Sequence, residues 1–149
     1  MSKFRYFGAA EILHINARKE GPDDEKELAV DVKLKCSIES DALRYFDEML
    51  AELLYLDSGA VRNIMMGPIT FLHEIEHYRL DAFGLMFTDV KVKKFSIEPK
   101  DGRRASLTFQ ISFKPSGNEV AELAEYLQDD VDIVLEPATN ELDLGGQAA

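Results

Sequence analysis

Two segments of this chain alternate apolar and polar residues, as half-buried β-strands do. The first covers residues 30–36, and the second covers residues 107–113, 77 positions later. Each segment is followed, at the same offset, by apolar residues at helical spacing. The pattern therefore predicts a strand-strand-helix unit that occurs twice. The alternating apolar residues are Val30, Val32, Leu34 and Cys36 in the first copy and Leu107, Phe109, Ile111 and Phe113 in the second.

Turn residues predict a hairpin in each copy. Gly21 and Pro22 open the first turn, and Gly102 closes the second. In the second hairpin the alternation changes phase at Lys93 and Lys94, which predicts a β-bulge there. The predicted hairpin strands are residues 9–17, 27–38, 88–98 and 104–114, and a last strand is predicted at residues 132–136.

Two helices are predicted after the hairpins. The first has Ser40 or Asp41 as its cap and ends near Gly59, because apolar residues recur between them at helical spacing. The second covers residues 119–128, with Asn118 as its cap. Both helices have one apolar stripe, so each is expected to pack on a sheet.

Residues 68–83 fit two patterns. Pro68 at the start and Gly84 past the end are typical of a helix. Ile69, Phe71 and Ile75 alternate with their neighbours, which is typical of strands. We favour two strands here, while the helix stays open as an alternative.

These elements predict one α+β domain over residues 1–137. It consists of pseudo-duplicated strand-strand-helix units, with a mostly antiparallel sheet and helices packed on one face. Residues 138–149 are predicted to be a disordered acidic tail. Open edges of such a sheet can pair with a second copy, so we expect a homo-oligomer, with a homodimer as the simplest form.

The charge of the chain is strongly segregated. The net charge is −11, yet residues 90–114 carry 7 basic and 2 acidic groups, whereas residues 115–149 carry 9 acidic groups and no basic one. Acidic proteins repel phosphate backbones at long range, so nucleic-acid binding is disfavoured unless the basic segment acts alone.

Cysteine content and hydropathy predict a cytoplasmic protein without a membrane segment. Cys36 is the only cysteine and lies on the apolar side of its strand, which predicts a buried, reduced thiol. No apolar run approaches the roughly 20 residues of a membrane helix, and residues 1–5 lack the apolar segment of a signal peptide.

Residues 73–77 spell H-E-x-x-H, the zinc-peptidase motif. On a helix, His73 and His77 would share a zinc ion, and Glu74 would act as the general base. On a strand the two histidines would be roughly 13 Å apart, too far to share a metal. Because strands are favoured, we expect no metal, no cofactor and no enzymatic activity, with a zinc metallopeptidase as an alternative.

Residues 90–102, followed by a strand, a short Glu-rich helix and residues 132–137, resemble small bacteriophage and prophage early-region proteins of uncharacterised function. The resemblance is one of overall pattern along most of the chain. It implies an intracellular phage context, and it implies no activity and no metal site.

The leading functional hypothesis is a non-enzymatic interaction protein that binds a host or phage protein. In a sharper version, an acidic surface imitates a nucleic-acid backbone and blocks a DNA-binding enzyme. The residues of this surface are Glu119, Glu122, Glu125, Asp129, Asp130 and Asp132. The alternative is single-stranded nucleic-acid binding through the basic hairpin, by Lys91, Lys93, Lys94, Lys100, Arg103 and Arg104.

Overall fold

The protein consists mainly of long β-strands in the computed structural model, which describes residues 3–138. Short helices follow two of the hairpins. The elements are β1 (Tyr6–Glu20), β2 (Glu27–Glu39), a 3-10 helix (Ser40–Tyr45), α1 (Leu50–Leu54), β3 (Ile69–Phe71), β4 (Ile75–Ala82), β5 (Leu85–Lys100), β6 (Arg104–Phe113), α2 (Gly117–Ala124) and β7 (Asp130–Pro137).

Six of these strands close into an antiparallel barrel. Around the barrel the order is β1, β2, β6, β5, β4 and β7, and β7 pairs with β1 again. β3 pairs with β5 on the side away from β6. The predicted α+β fold, with helices packed on one face of a sheet, is therefore wrong, because the structure is mostly β and its sheet closes on itself.

The predicted first helix is interrupted at Asp47. Its side chain accepts a hydrogen bond from the Met49 N–H at 2.7 Å, and such local bonds compete with helical backbone bonds. The segment therefore divides into the 3-10 helix and the five-residue α1. Part of the apolar stripe that predicted one longer helix is exposed, since Leu53 is 64% exposed.

The second predicted helix is shorter than expected and has a different cap. α2 has eight residues, and its N-cap is Ser116 rather than Asn118. The Ser116 side chain accepts from the Glu119 N–H, and the Glu119 carboxylate accepts from the Ser116 N–H at 2.8 Å. This reciprocal capping box fixes where the helix begins.

Most of the strand predictions are confirmed. Both hairpins form, residues 68–83 contain two strands, and β7 covers the predicted last strand. The predicted bulge is present, since the β5–β6 register shifts between Lys93 and Ser96 and Lys94 has a φ of 57°. The two alternating segments of the repeat lie side by side, with Val30 opposite Phe113.

Apolar side chains fill the barrel, and the helices close its ends. The 3-10 helix follows the Glu39 end of β2, while α2 follows the Phe113 end of β6, which is the opposite end because these strands are antiparallel. Leu43 and Leu123 are the fully buried residues of these two helices. Each end of the core is therefore sealed by a short helix.

Cys36 is a buried thiol, as predicted. It is 5% exposed, and burial raises its pKa to about 12. A thiol with so high a pKa carries almost no thiolate at neutral pH and is a poor nucleophile.

The predicted acidic tail, residues 138–149, lies outside the described residues except for Ala138. The Ala138 N–H donates to the His77 carbonyl at 2.9 Å.

Candidate binding surface

The outward side chains of β2, β6 and β5 form a lysine-rich surface. Lys33 and Lys35 alternate with buried residues of β2 and therefore face outward. Lys33 lies opposite Gln110 of β6, and Gln110 lies opposite Lys93 of β5. Two strand spacings, roughly 10 Å in all, separate the backbones of Lys33 and Lys93. We define the lysine face as Lys33, Lys35, Lys91, Lys93 and Lys94.

Among the described residues, the lysine face forms few close ion pairs. Glu74 pairs with Lys91 at 3.6 Å, and both side chains are largely exposed. Within residues 3–138, Lys33, Lys93 and the other two lysines of the face form no ion pair within 4.0 Å. Four adjacent positive charges are therefore available to a negatively charged partner.

Asp31, the outward residue before Lys33 on β2, is held by other groups. Arg18 donates to its two carboxylate oxygens at 2.9 and 3.2 Å, and the Ser112 hydroxyl donates at 2.6 Å. Burial opposes ionisation of Asp31, but the hydrogen bonds from Arg18 and Ser112 outweigh it and lower the pKa of the carboxyl. This carboxylate is thus bound mainly by Arg18 and Ser112, and it also attracts Lys93 electrostatically.

Two concavities adjoin the lysine face. A cavity of about 300 Å³ is lined by Lys33, Lys94 and Gln110, together with parts of β5 and β6. A cleft of about 490 Å³ lies where β5 leaves β6, and Lys91 and Lys93 line it. The surface is therefore not flat, and a bound chain has two recesses to enter.

The structure brings together half of the predicted basic set. Lys91, Lys93 and Lys94 lie on the lysine face. The other three residues lie toward the β5–β6 turn, where they are engaged elsewhere. Lys100 donates to Glu98 at 2.9 Å, the Arg103 guanidinium lies 5.8 Å from the Tyr55 ring centroid, and Arg104 donates to Ser37 at 2.9 and 3.1 Å.

Sequence reasoning missed Lys33 and Lys35 as members of this surface. They lie in a different hairpin from Lys91 and Lys93, more than fifty residues away along the chain. The available signal was their position between the apolar residues of an alternating strand, which fixes them on its outer face. The pairing of β2 with β6 joins two different hairpins, so it cannot be inferred from the sequence of either hairpin alone.

The predicted acidic residues cluster around α2 and the start of β7. Glu119 is half-buried and is used in the capping box of α2. The other members are exposed, and Asp130 lies opposite Glu11 of β1, which adds a further carboxylate. We define the acidic surface by its exposed members, Glu122, Glu125, Asp129, Asp130 and Asp132.

The β7 part of the acidic surface lies on the opposite side of the barrel from the lysine face. β6, at the centre of the lysine face, and β7, which carries Asp130 and Asp132, are three strands apart in either direction. The filled core therefore lies between the lysine face and the carboxylates of β7.

The two histidines of the H-E-x-x-H motif do not share a helix. His73 lies between β3 and β4, where its ring stacks on Phe95 with centroids 4.9 Å apart and its Nε2 lies 2.9 Å from the Tyr45 hydroxyl. His77 lies in β4, and its Nδ1 is 3.4 Å from Asp89. The helical geometry that the zinc motif requires is not formed.

Nor do the described residues bring together another set of metal ligands. Among residues 3–138, no group of three or more His, Cys, Asp or Glu side chains is placed to hold a metal ion.

No helix in this range has both the length and the apolar character needed to cross a membrane.

What the lysine face offers chemically is fixed positive charge beside two recesses, an arrangement suited to anionic ligands. Its lysines stand on paired strands, so their backbones are held in a constant register.

Comparison of the chain with protein-family models, with curated proteins and with solved structures found no match.

Proposed function

We propose that this protein is a non-enzymatic binding protein that holds single-stranded nucleic acid on its lysine face. The observation that supports the proposal is the register of Lys33 and Lys93 on either side of Gln110, with no carboxylate of the described residues within ion-pair distance of either ammonium group. Proteins that bind single strands combine such a basic groove with surfaces for the bases. The two recesses beside the lysines supply room for bases.

The net negative charge of the chain does not prevent this binding. The carboxylates of β7, Asp130 and Asp132, lie on the far side of the barrel. At physiological salt, charges separated by more than about 8 Å are largely screened from one another. A strand close to Lys33 and Lys93 therefore experiences mainly the local positive potential, and the binding is strongly salt-dependent.

A double charge reversal tests the proposal. We expect Lys33→Glu with Lys93→Glu to weaken binding of a labelled single-stranded oligonucleotide at least tenfold in fluorescence anisotropy. The slope of log affinity against log salt should fall by about 0.7 for each phosphate that the variant no longer neutralises. The matched control is Lys19→Glu with Lys26→Glu, which makes the same charge change on the β1–β2 hairpin.

Two results would contradict this function. One is that the unaltered protein fails to bind oligonucleotides even at low salt. The other is that both double variants lose the same affinity, which would mean that net charge, and not the lysine face, controls binding.

A second candidate function is binding of a basic protein by the acidic surface, in the manner of a nucleic-acid mimic. It is favoured by the exposure of Asp129, Asp130 and Asp132 at the start of β7. Here the partner would be a host or phage DNA-binding enzyme, in line with the phage resemblance. Addition of the protein should inhibit DNA binding by such an enzyme in a salt-sensitive way, and Glu122→Lys with Asp132→Lys should abolish the inhibition. Unchanged inhibition by that variant would eliminate this candidate.

We also propose a cytoplasmic location and a homo-oligomer. The buried thiol of Cys36 suits a reducing compartment. Among the described strands, β3 pairs only with β5, so its other edge is open to a strand of a second copy. Light scattering across a concentration series measures the oligomeric state, and a monomer at every concentration would exclude self-association.

A further inference from the structure

The cleft between β5 and the end of β6 has the size of a small-molecule site. Its volume is about 490 Å³, within the usual range of roughly 300 to 1,000 Å³ for such sites. One wall is apolar: Phe87 is half-buried and packs against Phe113, with ring centroids 4.5 Å apart. Met86 also lines the cleft and is 58% exposed. The wall therefore offers apolar contact to a flat ligand.

The charged groups of the cleft divide into a balanced set and two available groups. Arg18 pairs with Glu20, and Lys114 pairs with Glu20 at 3.7 Å, so these charges largely compensate one another. Lys93 and Glu76 also line the cleft, and neither forms an ion pair with another described residue. Asp89 lines the cleft as well and lies 3.4 Å from His77 Nδ1, while Lys91 pairs with Glu74. Lys93 and Glu76 are thus the charged groups of the cleft without a close partner among the described residues, and they share it with an aromatic ring.

A nucleotide carries the three complementary groups. A base stacks on an aromatic ring, a phosphate binds an ammonium group, and an exocyclic base amine donates to a carboxylate. Thymine has no exocyclic amine, whereas cytosine, adenine and guanine each have one. Lys93 belongs to both the cleft and the lysine face, so a strand on the face leads into the cleft.

We propose that the cleft receives one unstacked base of the bound strand, with the base on Phe87, its exocyclic amine on Glu76 and its phosphate on Lys93. This inference rests on the proposed function and adds to it a base preference, cytosine, adenine and guanine over thymine. A free nucleotide has the same chemistry and is the other source of ligand for the site.

Oligonucleotides of equal length and different bases test this assignment. Phe87→Leu keeps apolar bulk against Phe113 and should weaken binding of an oligodeoxycytidylate about tenfold, the size of one base stack, while binding of an abasic oligomer stays unchanged. Glu76→Ala should remove the preference for the oligodeoxycytidylate over an oligothymidylate. Phe7→Leu is the matched control, because Phe7 is 60% exposed and lies on β1, away from the cleft.

The outcomes separate this inference from the proposed function. If Phe87→Leu and Glu76→Ala bind every oligomer as the unaltered protein does, no base enters the cleft, although the lysine face still binds strands. If no oligomer binds at all, the proposed function fails, and titration with cytidine monophosphate then tests the cleft alone. Saturable binding that Phe87→Leu weakens supports a nucleotide site, and no binding overturns it. Should Phe87→Leu fail to fold, Glu76→Ala and Lys93→Ala carry the same test.

Discussion

The lysine face and the acidic surface carry opposite charges on two different kinds of scaffold. The lysines stand on β2 and β5, which both pair with β6 between them and lie over a fully buried layer. The carboxylates stand on the eight-residue α2, the turn after it and the start of β7. The first surface is therefore tied to the central core, whereas much of the second depends on local structure.

This difference bears on which surface is ready to bind. Side chains on paired strands keep their register without a partner, so binding there requires little ordering of the backbone. Short helices and turns open with a small free energy, well below that of global unfolding. The lysine face is thus the better preorganised of the two, and three substitutions test that contrast.

Removal of core volume beneath the lysine face should have the largest effect. Phe109 is fully buried and lies next to Gln110 on β6. We expect Phe109→Ala to lower the free energy of unfolding by about 3 to 5 kcal/mol, because it leaves a cavity in the filled barrel. Chemical denaturation with circular dichroism measures the loss.

Phe7→Ala is the control for that substitution, since Phe7 lies on β1 with 60% of its surface exposed. It should change the free energy of unfolding by less than about 0.5 kcal/mol. Equal losses at the two positions would mean that the core is not concentrated beneath the lysine face.

The strands that form this scaffold were the most predictable part of the fold. The alternation of apolar and polar residues around Phe109 and Val32 predicts half-buried strands, and the turn at Gly102 predicts the hairpin. Closure of the sheet was not predictable, because it depends on the pairing of β1 with β7, more than a hundred residues apart. Without that pairing, the same strands fit the open sheet of the α+β prediction.

Loss of the Asp31 carboxylate beside the lysine face should lower the free energy of unfolding by an intermediate amount. Its carboxylate accepts hydrogen bonds from Arg18 and Ser112. Asp31→Asn removes the charge that these bonds stabilise, so we expect a loss of about 1 to 2 kcal/mol at neutral pH, allowing for partial exposure of Arg18.

The pH dependence of stability gives a second readout of Asp31. Its pKa is lowered in the folded state, so its contribution is present above the ordinary value of 3.8 and is lost as the pH falls through the folded pKa. Between about pH 5 and pH 2 the unaltered protein should therefore lose more free energy of unfolding than Asp31→Asn does. Parallel curves for the two proteins would show that the carboxylate is not stabilised by folding.

The candidate surfaces were less predictable than the strands. Lys91 and Lys93 were identified because they lie in one hairpin, and Lys33 was missed because it joins them only through the β2–β6 pairing. Conversely, Arg103 and Arg104 belong to the same run of basic residues but lie toward the turn. A run of charge in the sequence shows composition, whereas strand register decides which charges share a face.

Removal of the α2 cap should lower the free energy of unfolding least among the three substitutions, and its effect should be the most local. Ser116→Ala removes the acceptor for the Glu119 N–H, and loss of such a cap costs about 1 kcal/mol. The start of α2 should then open more often, and hydrogen exchange at the Glu119 amide should accelerate while exchange in β6 follows only the global loss. Asn118→Ala is the sharp control, because Asn118 was the cap predicted from the sequence and the structure places it inside the helix. If Asn118→Ala accelerated exchange at α2 more than Ser116→Ala, the capping box would not be what holds this part of the acidic surface in place.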